Sequence, residues 1–229
     1  MSDYVFSPPA IQAIPVFGSD KLFPVNRIFC VGRNYEAHAK EMGVEVDREA
    51  PFYFTKSAAS ISIAEDSISY AKRTQNYHYE MELVLAIGTA GLDVGIDQAE
   101  NLIFGCAAGL DMTRRDLQNN SKKQGRPWDT GKDVEESAVI TPIKPIAEVP
   151  SVAKARIYLS QNGEMKQDSN LELMVWSVPE IIADLSTLYH LQPGDLIYTG
   201  TPAGVGPVER GDKLVGGVDG VADFAVSIT

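Results

Sequence analysis

The run Glu80-Met81-Glu82-Leu83-Val84-Leu85-Ala86-Ile87 constrains this chain more than any other segment. Successive side chains of a strand point to opposite faces. Glu80, Glu82, Val84 and Ala86 therefore share one face, and Met81, Leu83, Leu85 and Ile87 the other. Beyond Glu82 both faces are apolar, which is the pattern of a strand covered on both sides. Two carboxylates entering such a layer repel each other and lose hydration. A divalent cation relieves both penalties. Glu-x-Glu alone is a weak motif, and a solvated strand end is its plain alternative.

A chain of 229 residues with 44% hydrophobic content can bury a sizeable core in one domain. Residues 26–229 are expected to be that domain. Residues 1–25, rich in proline (Pro8, Pro9, Pro15, Pro24), read as an extended lead-in that packs on it, with one strand. The net charge of -11 disfavours nucleic acid, whose phosphates require a basic face. An anionic substrate would need local positive charge. No apolar stretch approaches the roughly 20 residues of a membrane span. The first residues lack the basic and apolar regions of a signal peptide, so a cytoplasmic location is expected. Cys30 and Cys106 match no metal or redox spacing and are expected to be reduced and buried.

Strands are expected at residues 27–32, 51–56, 80–87, 103–112, 155–160, 195–199 and 221–228, and a hairpin arm at 60–69. Asn162-Gly163 favours a tight turn after residue 160. Short helices are expected at 35–42, capped by Asn34, and at 115–123. A longer helix fits 177–189, with Ser177 as its cap. Another begins near residue 97, and 126–131 reads as a loop. Strands outnumber helices without regular βαβ alternation, so the fold class is α+β.

Asp111 closes the small-residue strand 103–112, where Gly105, Ala107, Ala108 and Gly109 permit close backbone approach. If that strand lies beside the Glu80 strand, Asp111 completes an all-oxygen site. Three carboxylates suit Mg²⁺ or Mn²⁺ rather than Zn²⁺. A cap on the turn that follows is the other reading of Asp111. His38 and Glu41 fall three apart on a helix, where a carboxylate orients an imidazole as a base. An ordinary surface pair has the same spacing. His78 reads as a strand-end surface histidine, and His190 as a dipole partner of the preceding helix. Arg115, Gln118, Lys122, Lys123 and Lys132 concentrate donors that can anchor a carboxylate. For Lys122 and Lys123 a solvated helix face is the favoured reading. The turn Thr199-Gly-Thr-Pro-Ala-Gly-Val-Gly206 can offer N–H groups and the Thr201 hydroxyl to an anion, although it also fits a plain tight turn.

Five stretches in order carry a resemblance: Phe29-Cys-Val-Gly-Arg-Asn-Tyr-Glu-Ala-His-Ala-Lys-Glu-Met42, His78-Tyr-Glu-Met-Glu-Leu83, Gly109-Leu-Asp-Met-Thr-Arg-Arg-Asp-Leu-Gln118, Gly125-Arg-Pro-Trp128 with Lys132, and Gly200-Thr-Pro-Ala-Gly-Val-Gly206. Together they resemble the fumarylacetoacetate hydrolase family, in its short acylpyruvase branch. The lead-in and the Arg126-Pro-Trp-Asp-Thr run are most similar to members that cleave fumarylpyruvate in gentisate degradation. The resemblance implies a β-rich mixed roll of the family's C-terminal-domain type with few short helices. It also implies a homodimer, and Mg²⁺ or Mn²⁺ held by Glu80, Glu82 and Asp111. His38 and Glu41 would be a base pair on a lid, with Lys132 beside the metal. Arg115, Gln118 and Thr201 would hold a 2,4-diketo acid. The implied reaction is hydrolysis of a carbon–carbon bond, with 3-fumarylpyruvate giving fumarate and pyruvate. Oxaloacetate decarboxylation on the same metal site is the alternative, and a non-catalytic binding protein a more distant one. One stretch departs from the family: Lys132-Asp-Val-Glu-Glu-Ser-Ala-Val-Ile-Thr-Pro142 lacks the usual aromatic, has Glu135 for Asp and Val139 for Pro. It is expected to bear on substrate choice.

Overall fold

The computed structural model describes residues 4–41, 43, 48–65 and 67–229. Its main mixed sheet follows the order Phe52–Lys56, Ile28–Gly32, Leu196–Tyr198, Met81–Ile87, Ile103–Asp111, Ala138–Ile140, Ile61–Ile63. A second sheet runs Glu164–Asn170, Arg156–Gln161, Lys213–Val218, Ala222–Ile228, Ser67–Ile68. Helices are few and short, so the fold is the expected β-rich α+β arrangement.

The Met81–Ile87 strand is buried along its whole length, as its two apolar faces require. Met81, Leu83, Leu85 and Ile87 join a core with Ile157, Leu159, Leu214 and Val226 of the second sheet and Ile181, Ile182 and Leu185 of the Val178–Leu188 helix. Val84 and Ala86 face the other way, into a separate core with Ile14, Val16, Phe23, Ala107 and Tyr198. The lead-in therefore covers one face of the sheet. It does so with two short strands, Ala13–Pro15 and Leu22–Pro24, paired with each other, where one was expected. Pro15 and Phe17 exchange backbone hydrogen bonds with Ile143.

Met81–Ile87 and Ile103–Asp111 pair antiparallel, with Glu82 opposite Gly109. The Asp111 N–H donates to Glu80 O at 2.9 Å. This register sets Glu80, Glu82 and Asp111 on one face. Gly109 has no room for a side chain: a Cβ would stand 2.7 Å from Val139 O and 2.8 Å from Val84 Cγ2.

Local signals placed several elements correctly. Asn162 (φ 54°) and Gly163 (φ 84°) form the expected turn between the Arg156–Gln161 and Glu164–Asn170 strands. The Glu180 carboxylate accepts from Ser177 N and Oγ at 2.8 and 2.7 Å, opening the Val178–Leu188 helix at the expected cap. Cys30 and Cys106 are buried thiols.

Three expectations fail. Asn34 does not cap the helix, which spans Glu36–Glu41; Met42 lies outside the described residues. Instead its amide donates to Trp176 O and Thr199 O and accepts from Trp176 N at 2.7 Å, because buried loop groups there need partners. Among the described residues, 60–69 form no hairpin arm. Ile61–Ile63 and Ser67–Ile68 pair in parallel with Ala138–Ile140 and Ala222–Ile228, in different sheets. Long-range pairing of the two halves prevails over local alternation. The stretch 126–131 is not all loop, since Asp129–Lys132 forms one helical turn that carries Lys132 inward.

Gly109→Ala is expected to destabilise the protein by about 1–3 kcal/mol through overpacking between two strands. Urea unfolding midpoints, at unchanged m-value, measure it.

Candidate metal centre

Glu80, Glu82 and Asp111 are all buried, and each offers a carboxylate oxygen within 4.8 Å of the others. Their environments differ. Glu80 is ringed by cations: Lys132 Nζ donates to its Oε2 at 2.8 Å and Arg115 Nη2 donates to its Oε1. Burial alone would raise the Glu80 carboxyl, but Lys132 and Arg115 outweigh it and hold it far below the usual carboxylate range. Among the described residues, Glu82 receives only the Gly200 N–H, at 2.7 Å. Burial, then the charges of Asp111 and Glu80, push its carboxyl well above the usual range.

Lys132 Nζ also donates to Asp111 Oδ2 at 2.6 Å and Thr113 Oγ1 at 2.8 Å. Burial would strip its charge, yet Asp111 and Glu80 raise its pKa above the lysine norm. A second lysine, Lys56, was missed from the sequence. Its side chain is fully buried, with Nζ 2.9 Å from Asp111 Oδ1. It donates to Met112 O, Lys132 O and Ser137 Oγ. The contact with Oδ1 lacks hydrogen-bond geometry, so Oδ1 is left without a donor. The one signal was a lysine closing an apolar strand, Phe52–Lys56.

A buried Glu82 held by one backbone N–H, beside an Asp111 oxygen that has the Lys56 charge near it but no hydrogen bond, is an arrangement that a divalent cation would complete. The all-oxygen donor set fits a hard divalent ion. Glu80, Glu82 and Asp111 would hold it.

A recess opens over these carboxylates. His38, Arg115, Gln118, Lys132 and Thr201 line it with Arg33, Lys122, Phe54 and Trp128. The structure thus brings together the expected site residues, with Glu41 behind His38. Glu41 Oε2 lies 3.3 Å from His38 Nδ1. Burial keeps the His38 pKa below the usual value despite Glu80 and Glu41, so the ring is neutral near pH 7. Arg115 Nη1 donates to Gln118 Oε1 at 2.7 Å, and the Thr201 hydroxyl accepts from Gln167 Nε2 at 2.8 Å. Gln167, invisible as a site residue in the sequence, also accepts from Met81 N.

Four readings change. Lys122 is not on a solvated face: it is half-buried at the recess, with Nζ 4.7 Å from the Trp128 ring centroid. Burial, then Arg115, Lys132 and Arg33, lower its pKa to about 8 against the pull of Glu80. The glycine turn serves the protein's own carboxylates, since Gly200 N donates to Glu82 and Gly204 N to Glu41 at 3.1 Å. His78 is only partly exposed; Arg115 Nε donates to its Nδ1 at 3.5 Å, and burial, then Arg115, lower its pKa to about 4. The departing stretch after Lys132 does not reach the recess: Val139 is buried in the sheet, and Asp133 and Glu135 line a different hollow.

The profile described as fumarylacetoacetate hydrolase C-terminal matches residues 27–228, and this chain belongs to that family. It is 56% identical, over 82% of its length and 98% of the relative's, to the fumarylpyruvate hydrolase of a Ralstonia species. It is 36% identical to the mitochondrial oxaloacetate tautomerase of Mus musculus, over 88% of this chain and 90% of that one. The crystal structure of fumarylpyruvate hydrolase from Pseudomonas aeruginosa, in complex with Mn²⁺ and pyruvate, superposes with a TM-score of 0.96 at 45% identity, covering 99% of both chains. The fold is that of the family's C-terminal domain. Among the described residues, no helix is long and apolar enough to cross a membrane.

Mg²⁺ or Mn²⁺ added to chelator-stripped protein at a hundredfold excess over Kd is expected to raise Tm by about 5 °C or more. Calorimetry on the wild type and on Glu82→Gln checks this, and the variant should lose the rise.

Proposed function

We propose that this chain is a divalent-metal-dependent hydrolase of acylpyruvates that converts 3-fumarylpyruvate and water to fumarate and pyruvate. The observation that carries it is the buried Glu80–Glu82–Asp111 cluster under a recess walled by a neutral, carboxylate-oriented histidine. The Ralstonia relative named for this reaction, and the Pseudomonas structure named with Mn²⁺ and pyruvate, support it.

A bound divalent ion supplies Lewis acidity where enolate charge develops at the 2-oxo acid end. The protein's side chains supply the rest. His38 takes a proton from water through the ring nitrogen not facing Glu41. The hydroxide attacks the carbonyl carbon of the fumaryl group. The bond from that carbon to the methylene breaks, its electron pair leaves with the pyruvate fragment, and the proton that His38 took from water passes to the methylene, giving pyruvate. Lys132, fixed as an ammonium, adds positive charge beside the enolate. Arg115, Gln118 and Thr201 hold the substrate, and the His38–Glu41 helix acts as a lid that excludes water.

The reading extends to the finer points. The ion is Mg²⁺ or Mn²⁺, and the enzyme is a cytoplasmic homodimer that acts in gentisate degradation. Residues 26–229 form its catalytic domain, with 1–25 as lead-in. A second reading, oxaloacetate decarboxylation or tautomerisation, draws support from the mouse relative and from a Dictyostelium discoideum oxaloacetate decarboxylase at 35% identity.

His38→Ala is expected to slow fumarylpyruvate hydrolysis by about 10²–10⁴-fold while sparing much of any oxaloacetate decarboxylation, which needs no attacking water. Glu82→Ala should abolish both. Loss of enol absorbance and pyruvate release report the two activities. Unchanged fumarylpyruvate turnover in Glu82→Ala, with and without chelator, would refute the proposal.

A further inference from the structure

The cations closest to the carboxylate cluster are already engaged. Lys132 and Arg115 bond to Glu80, Lys132 also to Asp111, and Lys56 pairs with Asp111. Two others are not. Arg33 and Lys122 line the same recess, and among the described residues neither has a carboxylate partner. In a chain of net charge -11, two unneutralised cations at one opening are a distinct feature.

Both rest on one aromatic wall. Phe52 and Trp128 have ring centroids 4.8 Å apart, and Phe54 and Trp128 5.9 Å. Lys132 Nζ lies 4.9 Å from the Phe54 centroid, among the carboxylates. At the other rings stand Lys122, over Trp128, and Arg33, whose Cζ is 5.7 Å from the Phe52 centroid. The wall thus links the carboxylate cluster to the two free cations. Arg33 also holds a left-handed backbone, φ 59°, which costs a non-glycine residue energy and recurs where a side chain must be aimed. Its neighbours fix it there: Gly32 lies against Phe52, and Asn34 is clamped by Trp176 and Thr199.

We propose that Arg33 and Lys122 form a carboxylate subsite of the recess, set along the aromatic wall from Lys132. It selects 2-oxo acids whose chain ends in a second carboxylate and whose planar middle lies along Phe54 and Trp128. This rests on the acylpyruvate reading and names the acyl groups it favours. Lys122, with a pKa near 8, is still mostly charged at pH 7. An aromatic face beneath each cation keeps it positioned without neutralising it.

Two unreactive probes test it: 2-oxoheptanedioate, and 2-oxoheptanoate, which lacks the distal carboxylate. Their Kd values with Mn²⁺ present are measured by calorimetry for wild type, Arg33→Met, Lys122→Met and the double variant. The wild type should prefer the diacid by about tenfold or more, as expected for charge-assisted contacts. Each single variant should reduce that preference, and the double variant should nearly erase it. Lys122→Arg should keep it. No preference in the wild type, or one undiminished in a double variant of unchanged Tm, would overturn the assignment. A kinetic arm separates the two proposals. The variants should raise KM for 3-fumarylpyruvate far more than for acetylpyruvate, with smaller effects on kcat. Failure of the wild type to cleave either compound would sink the hydrolase reading, while the binding preference would still decide the subsite.

Discussion

Three carboxylates pressed onto one face of a buried strand pair is the constraint to which the surrounding structure answers. Antiparallel register sets Asp111 beside Glu80, with Glu82 one pleat further on. Like charges at that spacing in a poorly hydrated layer repel strongly. The chain answers with Lys132 and Arg115 on Glu80, with Lys56 against Asp111, and with one backbone N–H on Glu82. The compensation is lopsided. Glu80 and Asp111 each face lysine or arginine charge, while Glu82 faces none at hydrogen-bond distance among the described residues. That shortfall gives a hard cation its place.

Much of this was legible in the sequence because the relevant signals are local. Period-two alternation assigned both faces of the Met81–Ile87 strand, and the two cores divide along it. Gly109 and its small neighbours announced the tight strand pair that delivers Asp111. Asn162-Gly163 and Ser177 marked a turn and a helix start through short-range chemistry. Signals that depended on distant partners were misread. Asn34 looked like a helix cap because capping and loop clamping use the same amide. Residues 60–69 looked like a hairpin because nothing local distinguishes an alternating run from two strands pairing in different sheets. Lys122 looked solvated because its aromatic partner, Trp128, lies in a loop that doubles back.

Lys56 and Gln167 were beyond sequence reasoning for a related reason. Each is a polar residue in a strand that carries other polar residues, and its role exists only through contacts with Asp111 and Thr201. Family likeness supplied what patterns could not. The match over residues 27–228, and relatives that act on fumarylpyruvate and on oxaloacetate, place the site among enzymes whose substrates share a 2-oxo acid end. The distal end is where such substrates differ, and in the recess Arg33 and Lys122 have no carboxylate partner among the described residues.

The glycine turn that follows Leu196–Tyr198 ties two parts of the site together. Gly200 N–H holds Glu82, and four residues later Gly204 N–H holds Glu41. The turn is a short crossbar between one carboxylate of the buried cluster and the partner of His38. Any swing of the His38–Glu41 helix must pull on the same segment that fixes Glu82. The placement of Glu82 and the placement of His38 are thereby joined through one short stretch of backbone.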